Sequence, residues 1–218
     1  MARLSICKSQ KNMSDLIIED KGTIDFKDCY EEMIMLVKSN PKKSYIWSLE
    51  HHNVYTIGIS DKETQENLEI YPKIVKTDRG GKITFHGPGQ LVFYFMLNLQ
   101  KISFKPTELT KFILKKSSEV IEKVGCKNNI NLSDPGIYVG DLKLASIGMR
   151  IKNKVTYHGI SINFDMDLDY FDKIKPCGLN VKACNLCNYT DIEKIDLIDK
   201  LKKAYRDLIT VSYTHLRA

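Results

Sequence analysis

Two segments of the chain combine glycine and proline with side chains that could do chemistry. Residues 79–90 read Arg-Gly-Gly-Lys-Ile-Thr-Phe-His-Gly-Pro-Gly-Gln. Glycine at four of these positions forgoes side-chain burial and lets another group approach the main chain closely. Residues 174–178 read Ile-Lys-Pro-Cys-Gly and place a thiol between proline and glycine. Together the two segments predict a shaped substrate pocket and a nucleophile.

Cys177 is either a buried structural cysteine or a reactive thiolate. Its position between proline and glycine favours a thiol that is exposed on a turn over one that is packed in the core. A free thiol, with a pKa of about 8.5, is mostly protonated at neutral pH, so a nucleophilic cysteine needs a nearby cation or base. The candidates are Lys143, His86 and His158. Strand alternation would place Lys143 on the same face as Ala145, pointing inward, where it could serve as a base.

Periodicity and capping residues predict the elements that must position these side chains. Asp25 can cap a helix over Phe26–Ser39 that Pro41 closes, Pro106 opens a second helix that ends at Gly125, and a third helix covers Asp191–Ile209. The predicted strands are Ser44–Glu50, Val54–Gly58, Ile74–Asp78, Gln90–Leu99, Gly136–Val139, Leu142–Ile151 and Val155–Phe164, the last two joined by a hairpin turn at Asn153-Lys154. This order of elements predicts an α+β fold.

Composition narrows the class of protein. A chain of 218 residues with 43% hydrophobic and 28% charged residues fits one large globular domain or two small lobes. The longest apolar run, Leu91–Leu97, is too short to span a bilayer, and no signal peptide is visible, so we expect a cytoplasmic protein without a membrane partner. We therefore expect the six cysteines to be reduced thiols. The net charge of +6 is spread along the chain, which favours an acidic partner but not nucleic acid.

The last eight residues, Val211–Ala218, resemble the translation of a sequencing-library adapter. We interpret this tail as non-native and exclude it from the fold. The expected folded unit is therefore residues 1–210.

Four motifs together resemble the octanoyltransferase family, also called lipoyl(octanoyl) transferases. They are the Arg79–Gln90 segment, the Lys143–Arg150 strand, the His158–Asn163 strand and Pro176-Cys177-Gly178, and they occur in the order and at the spacing of that family. The earlier Glu50–Gly58 segment also fits. One departure is the run Phe93-Tyr94-Phe95-Met96, where relatives often carry Gly-Tyr-Pro, and it predicts an altered pocket wall.

The resemblance implies transfer of an octanoyl group from acyl carrier protein to a lysine of a lipoyl domain, the first step of endogenous lipoate biosynthesis. The acceptors would be the lipoyl domains of 2-oxoacid dehydrogenases or the H protein of glycine cleavage. In this family the cysteine that matches Cys177 forms a thioester acyl-enzyme, and the lysine that matches Lys143 promotes formation of the thiolate and moves protons. Neither ATP, nor a metal, nor another cofactor is implied.

The resemblance also implies a substrate-binding set and a fold. The binding residues would be Arg79, Gly80, Gly81, Lys82, Ile83, Thr84, Phe85 and His86, then Ser146, Ile147 and Gly148, then Gly159, Ile160 and Ser161. The fold would be that of the biotin and lipoate protein ligase catalytic domains, a mixed β-sheet flanked by helices with a smaller lobe. Residues 1–210 would then form a single octanoyltransferase catalytic domain.

Two alternatives remain open at the level of the sequence. An ATP-dependent lipoate or biotin ligase would use the same fold, but the pairing of Lys143 with Cys177 favours acyl transfer. A zinc-stabilised binding module would use Cys177, Cys184, Cys187 and His158 as a Cys₃His set, and zinc would then block Cys177 as a nucleophile. We favour the interpretation of Cys184 and Cys187 as two small apolar side chains beside the core.

Overall fold

The computed structural model describes residues 15–61, 72–102, 104–174 and 182–210. Its helices are α1 (Phe26–Lys38), α2 (Pro106–Lys123), α3 (Asp169–Asp172) and α4 (Lys194–Thr210), with a 3₁₀ turn at Leu186–Asn188. Its strands are β1 (Leu16–Ile24), β2 (Ser44–His51), β3 (Val54–Ile57), β4 (Ile74–Lys76), β5 (Thr84–His86), β6 (Gln90–Met96), β7 (Asn129–Asn131), β8 (Gly136–Val139), β9 (Leu142–Lys152) and β10 (Val155–Asn163). Cys177 and the tail 211–218 lie outside the described residues.

Within these residues, seven strands form the main sheet in the order β1-β2-β6-β10-β9-β8-β7. β1 and β2 run parallel, and the other neighbours run antiparallel. The mixed sheet and its flanking helices confirm the predicted α+β class. The edge strand β1 was not predicted, because its sequence Leu-Ile-Ile-Glu-Asp-Lys-Gly-Thr-Ile lacks a clear alternation.

Helix α1 covers one face of the sheet. The side chain of Asp25 accepts a hydrogen bond of 2.7 Å from the backbone of Lys27, which confirms the predicted cap. Its apolar residues recur at intervals of three and four, so one face of the helix is buried against β2, β6 and β10. The buried residues of the helix are Phe26, Cys29, Met33 and Val37.

Helices α2 and α4 pack on the opposite face of the sheet and form the larger core with it. Tyr205 of α4 contacts the rings of Phe93 and Phe95 edge-on, with centroids 5.2 and 5.0 Å away. Its hydroxyl lies 2.6 Å from that of Ser117 on α2, so its polar end is satisfied inside the core. This packing orients β6, whose residues are all buried.

A three-stranded sheet in the order β4-β3-β5 forms the predicted smaller lobe. It carries its own cluster of buried residues, in which Tyr55 and Phe85 pack against Phe171 and Ile174. β5 lies inside the glycine-rich segment 79–90, which is called the glycine loop below. No strand was predicted over Thr84–His86, because the surrounding glycines conceal these three residues that pair with β3.

The predicted hairpin between β9 and β10 is present. Asn153 and Lys154 have φ values of +51° and +62°, the left-handed pair that a type I′ turn requires. Two element bounds differ from prediction. Strand β6 ends at Met96 rather than at Leu99, and helix α4 begins at Lys194 rather than at Asp191. None of the helices in the described part of the chain is long and apolar enough to cross a membrane.

Candidate active site

A cavity opens between the glycine loop and the central strands β9, β10 and β6. It measures about 880 Å³ with its open mouth included, and its lining is mainly apolar, as in small-molecule sites. The structure brings three distant segments of the predicted site to this one place. The predicted residues on its wall are Arg79, Gly80, Gly81, Lys82, Ile83, Thr84, His86, Lys143, Ser146, Ile147, Gly148, Gly159, Ile160 and Ser161.

Arg79 fixes the shape of the glycine loop. Its guanidinium is buried and donates to the hydroxyl of Thr56 at 2.9 and 3.1 Å and to the carbonyl of Thr56 at 2.7 Å. It also donates to the carbonyls of Gly80 at 3.0 Å and Lys82 at 2.6 Å. These hydrogen bonds join the loop to β3 and join residues within the loop to one another. The several N–H groups of the planar guanidinium therefore stabilise the conformation of the loop.

Gly148 allows the glycine loop to lie directly on β9. A Cβ atom at this position would stand 2.6 Å from the carbonyl oxygen of Gly80, closer than real Cβ contacts. Gly148 pairs with Gly159 on β10, where a Cβ atom would stand 1.8 Å from the carbonyl oxygen of Phe93. At both positions a backbone carbonyl therefore occupies the space that a side chain would need.

Lys143 stands at one end of the cavity in an ion pair. Its Nζ donates to Oδ2 of Asp134 at 2.8 Å, and the Tyr138 hydroxyl donates to the same oxygen at 2.5 Å. The Lys143 side chain is 9% exposed, so the pair is largely shielded from water. Gly136 leaves room for the lysine, since a Cβ there would stand 2.9 Å from its Cε. Neither Asp134 nor Tyr138 was predicted; the Asp-Pro-Gly turn was the available signal.

The expectation that Lys143 shares a strand face with Ala145 is wrong. Ala145 pairs with Ile137 whereas Lys143 pairs with Tyr138, and the register shifts between these pairs. The extra residue on β9 turns Lys143 to the cavity while Ala145 joins the main core. Lys143 therefore faces inward as predicted, but as a result of a bulge rather than of regular alternation.

His86 lies on the cavity wall as a neutral imidazole. Its Nδ1 is 2.7 Å from Oε1 of Gln90, and the Gln90 amide nitrogen donates to Oδ1 of Asn163 at 2.9 Å. The Gln90 oxygen is therefore the acceptor and His86 Nδ1 the donor, which leaves the lone pair on Nε2. Burial lowers the pKa of His86 to about 3, so the ring is uncharged at neutral pH.

His158 and Asp78 form a second polar group at the edge of the cavity. His158 Nε2 is 3.1 Å from Oδ1 of Asp78, and Tyr30 and Tyr157 also donate to this carboxylate. The hydrogen bond from His158 is the main cause that holds the pKa of Asp78 below its usual range, while burial lowers the pKa of His158. His158 has a φ of +61°, uncommon for a residue other than glycine in a strand.

Phe85 is the one predicted binding residue of the glycine loop that is absent from the cavity wall. Thr84 and His86 face the cavity, and Phe85 between them points to the other side of β5. Its ring stacks on Tyr170 with centroids 4.3 Å apart. Phe85 therefore contributes to the core of the smaller lobe.

Strand β6 contributes two wall residues that were not among the predicted binding residues. Val92 and Tyr94 line the cavity, while Phe93 and Phe95 pack into the core against α4. Of the run that departs from the relatives, only Tyr94 therefore lies on the cavity wall. Alternation along β6 was the signal that could have identified it. The other unassigned wall residues are Phe26, Asp134, Pro135, Asn163, Phe171 and Ala183.

The described cysteines neither line the cavity nor form a metal site. Burial raises the pKa of Cys29 to about 12 and that of Cys184 to about 11. Within the described ranges, no group of three or more His, Cys, Asp or Glu side chains could hold a metal ion. Cys184, Cys187 and His158, proposed as zinc ligands, therefore do not converge, and Cys177 lies outside the described residues.

Comparison with known proteins assigns the chain to a family. Residues 28–206 match the lipoyl protein ligase A/B catalytic domain. The chain belongs to this family. The octanoyltransferase of Chromobacterium violaceum is 36% identical over 189 residues, which cover 85% of this chain and 91% of that protein. The octanoyltransferase of Legionella pneumophila (strain Lens) is 39% identical over 165 residues, 75% of this chain and 83% of that protein.

Solved structures of similar fold confirm the predicted fold. A lipoate-protein ligase A bound with ATP superimposes with a TM-score of 0.74 at 13% identity, over 89% of this chain and 85% of that one. The biotin protein ligase of Aquifex aeolicus in complex with biotin and ATP superimposes with a TM-score of 0.56 at 16% identity, over 90% and 70%. At such identities the likeness concerns the fold alone.

Proposed function

We propose that this protein is an octanoyltransferase of lipoate biosynthesis, an acyltransferase that moves an octanoyl group onto the target lysine of lipoyl domains. The observation that carries the proposal is a single largely apolar cavity that gathers Lys143, the glycine loop and the two glycine-containing strands. Similarity to an octanoyltransferase at 36% identity over 85% of this chain supports it. The ligases share only the fold, at 13–16% identity, so ATP-dependent ligation is the weaker alternative.

Cys177 is the proposed nucleophile. In the sequence it lies midway between Phe171 and Ala183, and both of these residues line the cavity. Its thiolate attacks the thioester carbonyl of octanoyl-acyl carrier protein; a new carbon–sulfur bond forms and the bond to the donor's phosphopantetheine sulfur breaks. The raised pKa values of Cys29 and Cys184 make these thiols poor competitors.

Lys143 is the proposed partner of Cys177. A cation beside a thiol stabilises the thiolate, and an ammonium can return a proton to the departing sulfur of the donor. Asp134 orients this ammonium through the 2.8 Å ion pair. The proposed substrate-binding residues are those on the cavity wall, where the glycine loop offers backbone N–H groups to the developing oxyanion.

In the second half-reaction the amine of the acceptor lysine attacks the acyl-enzyme. A carbon–nitrogen bond forms, the bond to Cys177 breaks, and the amine proton passes to the released thiolate, so an amide replaces the thioester. Acyl carrier protein and lipoyl domains are generally acidic, which suits a net charge of +6. We place this chemistry in the cytoplasm, within one catalytic domain of residues 1–210, without metal or cofactor.

Intact-protein mass after incubation with octanoyl-acyl carrier protein tests the proposal. We expect a mass increase of one octanoyl group that hydroxylamine removes and that Cys177→Ala lacks. Adduct formation at another residue, or substantial transfer by the Cys177 variant, would refute the covalent route. Modification of a lipoyl domain by octanoate only when ATP is added would instead support the ligase alternative.

A further inference from the structure

Strand β9 has an unpaired edge beside the cavity. Its first part lies between β10 and β8, and the pair of Gly136 with Ser146 marks the start of β8. Residues 147–152 pair with β10 on one side, and no described residue forms a strand pair with them on the other. The chain is buried over residues 143–145 and becomes half-buried or exposed from Ser146 to the end of β9. The segment 147–152, called the open edge below, therefore has alternate backbone N–H and C=O groups available to another strand.

The open edge begins at the wall of the cavity. Ile147 and Gly148 line the cavity, and so do Asp134 and Pro135 in the turn before β8. A strand added to the open edge would lie about 4.8 Å from β9 and in line with β8. Pro135 has no N–H group with which β8 could be extended into this position. One end of the added strand would therefore meet the cavity at Pro135, beside the ion pair of Asp134 with Lys143.

The side chains of the open edge favour an acidic partner. Gly148 faces the glycine loop, since a Cβ atom there would stand 2.6 Å from the carbonyl oxygen of Gly80. Strand alternation places Arg150 and Lys152 on this same face, and both are exposed. Lys154, in the hairpin turn that follows, is also exposed. The open edge itself contains no acidic residue, so it attracts a negatively charged protein to the side of the cavity.

Of the two protein substrates, the acceptor is the one whose main chain must come close to the cavity. The donor carries its acyl group on a long phosphopantetheine arm, which reaches the cavity from a distant protein surface. The acceptor carries its amine on a lysine side chain, which spans roughly 6 Å from Cα to Nζ. A strand on the open edge brings its own end to the cavity wall and so satisfies this short reach.

We propose that the open edge of β9 is the docking site of the acceptor lipoyl domain. The lipoyl domain adds a strand to the main sheet, with its target lysine at the end of that strand nearest Pro135. Main-chain hydrogen bonds supply affinity in this mode of recognition, and Arg150 and Lys152 supply attraction to an acidic surface. The inference rests on the proposed function and names the surface through which the protein recognises its acceptor.

Hydrogen exchange tests the added strand directly. The full-length protein is mixed with a lipoyl domain whose target lysine is replaced with arginine, which prevents turnover. We expect the backbone amides of residues 147–152 to exchange at least about fivefold more slowly at a saturating concentration of the domain. Strand β1, at the opposite edge of the same sheet, is the internal control and should change by less than about twofold. Unchanged exchange of residues 147–152 would overturn the proposal.

A charge-reversal variant tests which substrate uses the surface. The variant is Arg150→Glu with Lys152→Glu, and the matched control is Lys111→Glu with Lys115→Glu, an equal change of charge at exposed positions of α2. We expect the KM for the lipoyl domain to rise at least about tenfold in the first variant, with kcat within about twofold of wild type. The rate of acyl-enzyme formation, and every constant of the control, should also stay within about twofold.

Three results of this experiment would overturn the proposal. An equal rise of KM in the control would assign the effect to net charge. Slower acyl-enzyme formation with an unchanged KM for the lipoyl domain would assign the surface to the donor. Unchanged constants would mean that the basic side chains only protect the edge from aggregation. Failure of the proposed function is distinguishable, because the wild-type protein would then form no acyl-enzyme before any lipoyl domain is added, and the inference falls with it.

Discussion

Single residues in this site act through a specific partner, and Asp134 shows this most directly. It accepts hydrogen bonds from Lys143 and from Tyr138 on one carboxylate oxygen. The ammonium is therefore held in one position at the end of the cavity. A lysine has four rotatable bonds, so loss of this anchor would spread Nζ over several positions.

Replacing Asp134 with Asn tests this role. We expect acyl-enzyme formation to slow by about 10–100-fold, because a neutral amide can accept a hydrogen bond from the ammonium but cannot form the ion pair that holds Lys143 in position. Stopped-time intact mass with octanoyl-acyl carrier protein measures the rate. Tyr138→Phe is the control, since it removes a hydrogen bond from the same carboxylate but keeps the ion pair. Equal slowing in both variants would contradict the role given to the ion pair.

Arg79 was expected to bind substrate, but its hydrogen bonds stabilise the glycine loop. Its guanidinium donates hydrogen bonds to Thr56, Gly80 and Lys82, so it organises the wall of the cavity. In Arg79→Lys, a single ammonium cannot reach these acceptors at once. We expect a loss of about 2–4 kcal/mol in the free energy of unfolding, measured by urea denaturation. A loss below about 0.5 kcal/mol would mean that the loop does not depend on the fork of donors.

At the scale of elements, the site depends on the close approach of the glycine loop to β9. Gly148 is the point of contact, because its missing Cβ would stand 2.6 Å from the Gly80 carbonyl. We expect Gly148→Ala to displace the loop, to destabilise the fold by about 1–3 kcal/mol and to abolish most acyl-enzyme formation. Gly140→Ala is the comparison, since no atom lies near its position although its φ of +58° carries a conformational cost. Similar stability losses with full activity in both would refute the close-approach argument.

The elements also show what a single sequence can predict. The capping residues and apolar periodicity of α1, α2 and α4 predicted these helices. Both signals depend only on residues that are close together in the sequence. The strand β5 and the bulge beside Lys143 were not predictable in this way. Both depend on pairing with residues distant in the sequence, β3 for the first and Ile137 with Tyr138 for the second.

At the scale of the whole molecule, the cavity wall comes from both sheets and from α1. The motifs of the family identified most of its lining, since each motif is a short stretch with unusual glycine content. Phe26 escaped notice because nothing in its immediate sequence distinguishes it from a core residue, whereas alternation along β6 and the Asp-Pro-Gly turn were the available signals for Tyr94 and Asp134. Their position on the wall follows from how β6, α1 and the turn before β8 meet around the sheet.

The buried histidines give the whole molecule a characteristic response to acid. Burial is the main reason that the pKa of His51 falls to about 4 and that of His86 to about 3. The unfolded chain protonates these rings near pH 6.5, whereas the folded protein resists protonation until near pH 3–4. The stabilisation is therefore complete above pH 6.5 and is lost as the pH falls toward 4.

We accordingly expect the free energy of unfolding to decrease between pH 6.5 and 4.5 with a slope of up to about 1.4 kcal/mol per pH unit for each of these two histidines. Urea denaturation at intervals of half a pH unit measures the slope. His51→Gln should reduce this slope by the contribution of one histidine, because the glutamine amide does not titrate. We expect this reduction even if the variant is less stable at pH 7.5. A stability that is constant from pH 7 to 5 would mean that His51 and His86 protonate inside the folded protein without cost. The two imidazoles would then be far less firmly buried than their contacts with Phe26 and Tyr94 indicate.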